Sequence, residues 1–370
     1  MNALPDTPGW VPAAPDPAPL TAAHQVLFAR MPKVELHCHL LGSVRQATFA
    51  DLVRKYRAPL TQPEIDQVYA RGRNKSGVLR ALRALDQYLL VSAQDLHRIT
   101  YEYLSDAAAG GVRYSEFFWN PTGTVRVSGL SYRTAQDAIV AAIHDAQRDC
   151  GIIGRLVPSI DREADPAEAV AMVQWVIAAR VPEVVGIGID YSEVNRPPEL
   201  FAQAYELARS AGLRSTAHAG EFGMPWQNVR TAVEVLHCDR IDHGYTIVAN
   251  PALAARYAEL GIVFTVVPTN SYYLRTLAPE RWALDHPIRR MAALGLALHP
   301  NTDDPTMHCV TPPGAWQLMY THLGSGLADL RQYLLHGLRG AWLDEGTRRA
   351  WAAQWTAEFD SLAYNVPGAK

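Results

Sequence analysis

The chain has 370 residues and a formal net charge of -3 at pH 7, with 48% hydrophobic and 19% charged residues. The small net charge and the lack of a polybasic run argue against a nucleic-acid-binding surface, and no apolar stretch approaches the roughly 20 residues of a membrane span. The four cysteines follow no paired spacing and the first residues do not form a secretory signal, so we expect reduced thiols and a cytoplasmic location.

Short apolar runs alternate with amphipathic stretches along the chain. Residues 1–20, rich in Pro, Ala and Asp, are predicted to be a flexible tail ahead of a single domain at 21–370. The apolar runs predict strands at 33–40, 112–119, 154–160, 184–190, 214–219, 240–243, 262–268 and 297–302. Between them, helices are predicted at 132–149, 166–179, 199–211 and 225–236. Eight such units indicate a (β/α)8 TIM-type barrel, with extra helices in an insertion at 49–110 after the first strand and at the C-terminus from 314 to 362.

Five short motifs carry side chains that bind metals or move protons. They are Glu-Leu-His37-Cys-His39, Thr-Ala-His218-Ala-Gly-Glu221, Arg-Ile-Asp-His243-Gly, His286-Pro-Ile and Asn-Thr-Asp303-Asp304-Pro. Imidazole and carboxylate are ligands that a zinc-type ion accepts. His37 and His39 are two residues apart, so they project to the same side of a strand. His218 and His243 end their strands and Asp303 follows the last one, at the barrel face where active sites form. The pattern predicts a metal-dependent hydrolase.

Each motif also has an ordinary structural explanation. A His-x-His pair in a strand is often incidental, and His218 alone could satisfy a hydrogen bond in the core. Asp303-Asp304-Pro is a common turn or helix start, and Glu221 could be a solvated carboxylate. Because all of these explanations would have to hold together at strand ends, the metal site is favoured. Four other histidines fall in or beside helical patterns and are interpreted as structural: His97, His144, His237 and His322.

In their order along the chain, these motifs resemble those of the adenosine deaminase family. The likeness runs from about residue 31 to about residue 360, and begins with Pro-Lys-Val-Glu-Leu-His-Cys-His-Leu-Leu-Gly. One motif alone is weak evidence, whereas the ordered set is highly specific. The resemblance implies a (β/α)8 barrel, one Zn2+ per chain, and hydrolytic removal of ammonia from an adenine-type ring.

The resemblance also implies a role for each matching residue. Glu221 would protonate the purine N1, His243 would orient the attacking water, and Asp304 would hydrogen-bond the purine near N7. The implied zinc ligands are His37, His39, His218 and Asp303, of which Asp303 would also take the proton of the water. These roles suit the chemistry, because adenine C6 is a poor electrophile and its activation at N1 requires a carboxylic acid kept neutral by burial.

Departures from the family pattern concern the substrate. Leu41 stands where members that take adenosine usually carry an acid for the ribose 5′-hydroxyl, and a leucine cannot accept that hydrogen bond. Glu193 replaces a glycine whose amide faces the purine, so its side chain is expected to narrow or charge the pocket. Phe118 stands where arginine is common, and residues 267–271 read Val-Pro-Thr-Asn-Ser where the family usually has Pro-Thr-Ser-Asn. An adenine-type nucleoside with a 5′ group other than hydroxyl is therefore favoured, ahead of adenosine and then free adenine.

Two other functions stay open, namely a metal-dependent amidohydrolase for a different amino-heterocycle and a non-catalytic binding protein on the same barrel. The oligomeric state and the metal used in the cell stay open too. The insertion at 49–110 could form a lid over the site. Its basic residues could reach an anionic group of a substrate, although a solvated face is favoured for them: Arg71, Arg73, Lys75 and Arg80.

Overall fold

Parallel strands in chain order form the centre of the molecule. The computed structural model describes residues 11–12, 14, 17–70 and 82–367. Among these residues, one eight-stranded sheet runs in the order β1 to β8. The strands are β1 Lys33–Glu35, β2 Val112–Trp119, β3 Ile153–Asp161, β4 Gly186–Asp190, β5 Arg214–Ala219, β6 Arg240–His243, β7 Val263–Val266 and β8 Ala297–Pro300. Beyond β1 and β8 the chain closes the barrel, because His39 N donates to Asp303 O at 2.8 Å and Asp303 N donates to His37 O at 2.9 Å. The predicted (β/α)8 barrel is confirmed.

Helices surround the sheet. They are α1 Ala22–Arg30, α2 Gln46–Tyr56, α3 Gln62–Tyr69, α4 Ala93–Ala109, α5 Pro121–Ser128, α6 Tyr132–Cys150, α7 Pro166–Ala178, α8 Ala202–Ser210, α9 Gln227–Glu234, α10 Pro251–Leu260, α11 Ser271–Thr276, α12 Pro279–Asp285, α13 Pro287–Ala293, α14 Pro312–Thr321, α15 Leu327–Gly340 and α16 Glu345–Ala363. Helices α2 to α4 fall in or next to the predicted insertion, and α14 to α16 follow the last strand as expected. In the part of the chain that the structure describes, no helix has the length and apolar character needed to cross a membrane.

Local sequence explains where these elements begin and end. Helix α6, for example, starts after Ser131, whose side chain accepts a hydrogen bond from Thr134 N, and ends at Gly151 in the left-handed conformation. Strand β4 is buried along its whole length. Because helices cover the outside of a parallel barrel and side chains fill its inside, such strands have continuous apolar runs and not an alternating pattern.

The first strand is shorter than predicted. Its regular part ends at Glu35, whereas the sequence predicts a strand as far as residue 40. The chain beyond it keeps only single parallel bridges, Cys38 to Asp303 and His39 to Phe118. This segment therefore closes the barrel between its two neighbours, and His37 and His39 lie at that closure. The cause is tertiary, since the partner segments lie far away in sequence.

The structure describes only part of the predicted tail and of the insertion that could form a lid. Ala18 N donates to Thr321 O at 3.2 Å, so the chain is docked on α14 from about this point. Residues 1–10 lie outside the described residues, as do Arg71, Arg73, Lys75 and Arg80. The flexible tail, the single-domain boundary at residue 21 and the lid stay predictions.

Candidate active site

Four buried side chains direct donor atoms at one point above the carboxyl ends of the strands. The Nε2 atom of His218 lies 3.1 Å from Nε2 of His37 and 3.1 Å from Nε2 of His39. Asp303 Oδ1 lies 3.5 Å from Nε2 of His37 and 3.3 Å from Nε2 of His39. Donors about 2.1 Å from a tetrahedral zinc lie roughly 3.4 Å from one another. The structure therefore brings the four predicted ligands together with spacing that suits zinc.

Second partners orient two of these imidazoles. His37 Nδ1 lies 3.1 Å from the carbonyl oxygen of Thr265, and His218 Nδ1 lies 3.3 Å from Asp242 Oδ2. The hydroxyl of Thr265 donates to Asp242 Oδ1 at 2.7 Å, which ties the two supports together. An imidazole that donates from Nδ1 keeps its lone pair on Nε2, the atom that faces the common point.

The third imidazole is held in the same way. His39 Nδ1 lies 3.3 Å from Asp190 Oδ2, and Asn120 Nδ2 donates to Asp190 Oδ1 at 2.6 Å. Three Nε2 lone pairs so close together repel one another unless a cation lies between them, which is the strongest sign of a metal in this structure. The sequence analysis did not assign these supports, although Asp190 ends a predicted strand and Asp242 precedes His243 within a quoted motif.

Glu221 and His243 lie beside this cluster. Glu221 Oε2 is 3.5 Å from His243 Nε2, and Asn270 Nδ2 donates to Glu221 Oε1 at 3.1 Å. Burial, together with the negative charges of Asp303 and Glu193, raises the pKa of Glu221 well above its usual value. Burial thus favours the neutral form of the Glu221 carboxyl, which is the form that its expected role requires.

The tautomer of His243 follows from its neighbour. The Tyr245 hydroxyl donates to Val267 O at 3.1 Å and accepts from Val267 N at 3.0 Å. It lies 3.2 Å from His243 Nδ1 and is left to accept the proton of that nitrogen. Burial, followed by the nearby histidines, lowers the pKa of His243 well below its usual value. The neutral ring therefore offers the lone pair of Nε2 to the site.

Two of these residues have a strained backbone. The φ angles of His243 and Asp303 are 65° and 64°. This left-handed region is uncommon for residues other than glycine and costs of order 1 kcal/mol or more. Such conformations persist where the surrounding structure stabilises them, and here they turn the side chains of His243 and Asp303 toward the point where the donor atoms converge.

Asp304 lies against the turn that follows β1. A Cβ atom added to Gly42 would stand 1.7 Å from Asp304 Oδ1, so the carboxylate occupies the space that the missing side chain leaves. His308 Nε2 is 3.7 Å from Asp304 Oδ2 and 3.5 Å from Ser271 Oγ. The sequence analysis gave neither Gly42 nor His308 a role, although Gly42 ends the quoted opening motif.

The residues that depart from the family pattern have different surroundings. Phe118 packs on two imidazoles of the cluster, with ring centroids 5.7 Å from His37 and 5.1 Å from His39. Leu41 is buried in the single turn Leu41–Ser43. The Glu193 carboxylate accepts hydrogen bonds from the loop that carries Glu221. The substrate-binding roles of Leu41, Glu193 and Asp304 stay predictions.

The His286 motif does not contribute to the donor cluster among the described residues. Its Nδ1 atom accepts a hydrogen bond from Ile288 N at 3.3 Å, so it caps helix α13. The ring packs against Tyr273 and Trp282, with centroids 5.3 and 5.6 Å apart. The prediction that this segment helps to make the metal site is therefore not supported by its geometry.

Comparison with known proteins gives a consistent result. A family model described as adenosine deaminase matches residues 32–355. An adenine deaminase of Sphingopyxis alaskensis is 34% identical over 294 residues, which cover 77% of this chain and 83% of the relative. An aminodeoxyfutalosine deaminase of Acidothermus cellulolyticus is 34% identical over 296 residues, covering 78% and 82%. The crystal structure of an amidohydrolase from Burkholderia ambifaria with bound zinc is 63% identical, with a TM-score of 0.95 and coverage of 97% of this chain and 99% of that one.

Proposed function

The chain belongs to the adenosine deaminase family of metal-dependent aminohydrolases, and on that premise we propose that it is a zinc-dependent hydrolase that replaces the 6-amino group of an adenine-type compound with oxygen. One observation carries the proposal. A donor cluster built from three histidines and Asp303 lies beside a buried carboxylic acid, Glu221, whose pKa is raised. This combination can activate water and protonate a heterocycle at the same place.

The chain's own groups account for the movement of protons. Glu221 places its proton on N1, which makes C6 electron-poor. His243, neutral with its lone pair on Nε2, accepts a hydrogen bond from the attacking water and so orients its oxygen. Asp303 takes a proton from that water and passes it to the departing amine. When bound at the cluster, zinc supplies Lewis-acid activation of the water.

The atoms of the reaction balance. The water oxygen forms a bond to C6 while the C6–N6 bond breaks. The 6-amino group leaves as ammonia after gaining one proton of the water, and N1 keeps the proton that Glu221 gave. The second proton of the water leaves the oxygen as the C6 carbonyl forms and returns to the Glu221 carboxylate, which restores the acid. No oxidant or reductant takes part, and the proposal places one Zn2+ per chain at the cluster of His37, His39, His218 and Asp303.

For the substrate we favour an adenine-type nucleoside whose 5′ position carries a group other than hydroxyl. Leu41 is buried and apolar, so it offers no acceptor to a ribose 5′-hydroxyl, and an unpaired buried hydroxyl costs about 1–3 kcal/mol. The similarity to an aminodeoxyfutalosine deaminase agrees with this choice.

Free adenine is the second candidate. Relatives named adenine deaminase, among them the Sphingopyxis alaskensis enzyme at 34% identity, favour it. A base without ribose makes no use of a 5′-hydroxyl acceptor, so Leu41 is compatible with both candidates. The proposal includes a cytoplasmic location, because Cys38, Cys150, Cys238 and Cys309 are free thiols and oxidising compartments favour disulfides.

Ammonia release from purified, zinc-loaded protein tests the proposal. Adenosine, 5′-deoxyadenosine, methylthioadenosine, aminodeoxyfutalosine and adenine are compared side by side. Glu221→Gln is the inactive control, since the amide keeps the shape of the side chain and cannot give up a proton as an acid. We expect turnover of at least one compound by the wild type and a loss of about 1000-fold or more in the control.

The ranking of substrates separates the two candidates. A preference for 5′-modified nucleosides supports the first, and a preference for adenine supports the second. No turnover of any compound by metal-replete protein, or turnover that survives in Glu221→Gln, would contradict the proposed function. The search would then move to other amino-heterocycles and to a binding role without catalysis.

A further inference from the structure

The side chain of Glu193 is bound to the loop that carries the proposed acid. Its Oε1 atom accepts from Gly220 N at 2.9 Å, and Oε2 accepts from Glu221 N at 3.1 Å. Oε1 also accepts from Asn228 Nδ2 at 2.7 Å, which connects the carboxylate to helix α9. Glu193 is only 2% exposed. Both oxygens are thus engaged with protein groups, and three hydrogen bonds hold the carboxylate against the loop of Glu221 and helix α9.

A buried cation holds the same turn from its other end. Arg162, fully buried just beyond β3, donates from Nη1 to the carbonyl oxygen of His218 at 2.9 Å. Burial lowers the pKa of Arg162, and the negative charge of Glu193 opposes this effect more than any other group does. Charge-assisted hydrogen bonds of this kind are among the strongest in proteins. A cation therefore binds the carbonyl at the start of the turn, and an anion binds the amides at its end.

The turn joins two groups whose separation matters for catalysis. His218, a proposed metal ligand, is the penultimate residue of β5, and Glu221 follows it by three residues. Gly220 between them has a φ of 69°, and a side chain there would stand 2.4 Å from the Thr246 hydroxyl. Such a turn has several alternative conformations unless its polar groups are bound, because glycine adopts left- and right-handed backbone angles with similar ease.

We propose that Glu193 is a positioning residue, whose carboxylate holds the amides of Gly220 and Glu221 so that the acid stays at a set distance from the metal cluster. This inference rests on the proposed function, because it assigns a place to the proposed proton donor. It gives the Glu193 side chain a task other than the expected contact with substrate. Misplacement of a catalytic group by 1 Å can cost about 100-fold in rate.

Hydrogen exchange tests the contact without any need for turnover. In zinc-loaded protein, the amides of the 216–224 segment are followed in the wild type, Glu193→Ala and Glu193→Gln. We expect exchange at Gly220 and Glu221 to accelerate about tenfold or more in Glu193→Ala. Glu193→Gln keeps one oxygen acceptor, so it should accelerate exchange less. Unchanged exchange in both variants would overturn the inference whatever the substrate proves to be.

Kinetics test the consequence. With the best adenine-type substrate, we expect kcat to fall about 30- to 100-fold in Glu193→Ala and less in Glu193→Gln, with KM within about threefold of the wild type in both. A normal kcat with a raised KM would indicate a substrate contact and would overturn the positioning role. Equal losses in the two variants would overturn it too, since the remaining acceptor would then have no effect.

A matched control separates this contact from general loosening of the loop. Glu163 accepts a hydrogen bond from Ser192 N at 3.1 Å, next to Glu193, and it is exposed. Glu163→Gln makes the same chemical change without touching the turn of Glu221. It should leave exchange at 216–224 and kcat unchanged, and an effect as large as that of Glu193→Gln would contradict the inference. An inactive wild type would count against the proposed function alone, because hydrogen exchange still decides the contact.

Discussion

Two carboxylates beside the proposed metal site act on its histidines without contacting the metal position themselves. Asp242 is fully buried, faces Nδ1 of His218 at 3.3 Å and accepts from the Thr265 hydroxyl. Its negative charge keeps the imidazole proton of His218 on Nδ1 and so makes Nε2 a better electron-pair donor to a cation. Asp190 does the same for His39. We therefore expect the affinity for metal to depend on residues outside the proposed ligand set.

Replacing Asp242 by asparagine tests this dependence. The amide can still accept from Thr265, but it lacks the charge that orients His218, so zinc affinity should fall about 10- to 100-fold. Competition with a coloured chelator measures the affinity. Asp360→Asn, in an exposed pair with Arg331, is the matched control and should bind zinc as the wild type does. Equal affinity in Asp242→Asn and wild type would contradict the prediction.

Gly42 shows how an absent side chain can shape a site. A methyl group at this position would stand 1.7 Å from Asp304 Oδ1, so Gly42→Ala should displace the carboxylate that is expected to bind the purine. We predict a fall of about tenfold or more in kcat/KM, as for a lost hydrogen bond to a charged group, with zinc content unchanged. Steady-state kinetics and metal analysis measure both.

Gly326→Ala is a suitable control for that substitution. A Cβ atom there would come no closer than 3.7 Å to its nearest neighbour, Asp329. Normal kinetics are expected for this variant. If Gly42→Ala were equally normal, Asp304 would not depend on the space beside Gly42.

Among the elements, helix α13 shows that a motif can serve structure instead of chemistry. His286 caps its first turn by accepting from Ile288 N, as serine or aspartate does at other helices. The ring must be neutral to accept, and burial lowers the pKa of His286 to about 3. The turn after β5 is likewise held by groups from other elements, since Glu193 and Arg162 bind it from two neighbouring loops.

The cap makes stability depend on pH. In the unfolded chain the pKa of His286 is about 6.5, so the unfolded chain binds the proton more readily between pH 6.5 and about 3. The stabilisation by the neutral ring is complete above pH 6.5 and decreases as the pH falls. His286→Asn keeps an acceptor for the cap but does not titrate in this range.

Urea unfolding at pH 7.5 and pH 5 measures the effect. We expect the wild type to lose about 2 kcal/mol more than His286→Asn over this interval, since each pH unit below the unfolded pKa corresponds to about 1.4 kcal/mol. The same loss in both proteins would show that another group is responsible.

In the whole molecule, the barrel is held from inside by a buried ion pair. Arg240 of β6 donates to Glu116 of β2, and both are fully buried. Glu116 also accepts from the Tyr114 hydroxyl and from Trp342 N, and Arg240 reaches Leu36 O beyond β1 at 3.3 Å. These bonds connect strands on opposite sides of the barrel and a segment after α15. The closed barrel in turn sets the positions of the strand ends that carry the proposed metal ligands.

Removal of one partner should destabilise the entire fold. Arg240→Met leaves the Glu116 carboxylate buried without its counter-charge, and such a loss typically costs about 3–5 kcal/mol. Urea unfolding measures it. Arg256→Met removes an exposed arginine that pairs with Glu234, and it should cost about 1 kcal/mol or less. Equal costs would show that the buried pair does not hold the barrel. The double variant Glu116→Gln/Arg240→Met should recover part of the stability, because no buried charge is left unpaired.

The barrel could be predicted from the chain alone, and so could the set of residues that the structure brings together at the proposed metal site. The pattern of apolar residues along the chain indicates the strands and helices, and eight alternating pairs indicate a barrel. A histidine or aspartate at the carboxyl end of a barrel strand then lies at the face where active sites form. His37, His39, His218 and Asp303 could therefore be predicted together. The ordered motifs then indicated the family.

The groups that support those residues could not be predicted in this way, because they lie on other segments of the chain. Asp190, Asp242 and Thr265 orient imidazoles of other strands. Glu193 accepts hydrogen bonds from the amides of Gly220 and Glu221, 27 and 28 residues further along the chain. His286 caps a helix. A hydrogen bond is set by distance and direction over a few tenths of an ångström. Sequence spacing does not report such distances between separate segments, so these contacts became visible only when the closed barrel placed the segments side by side.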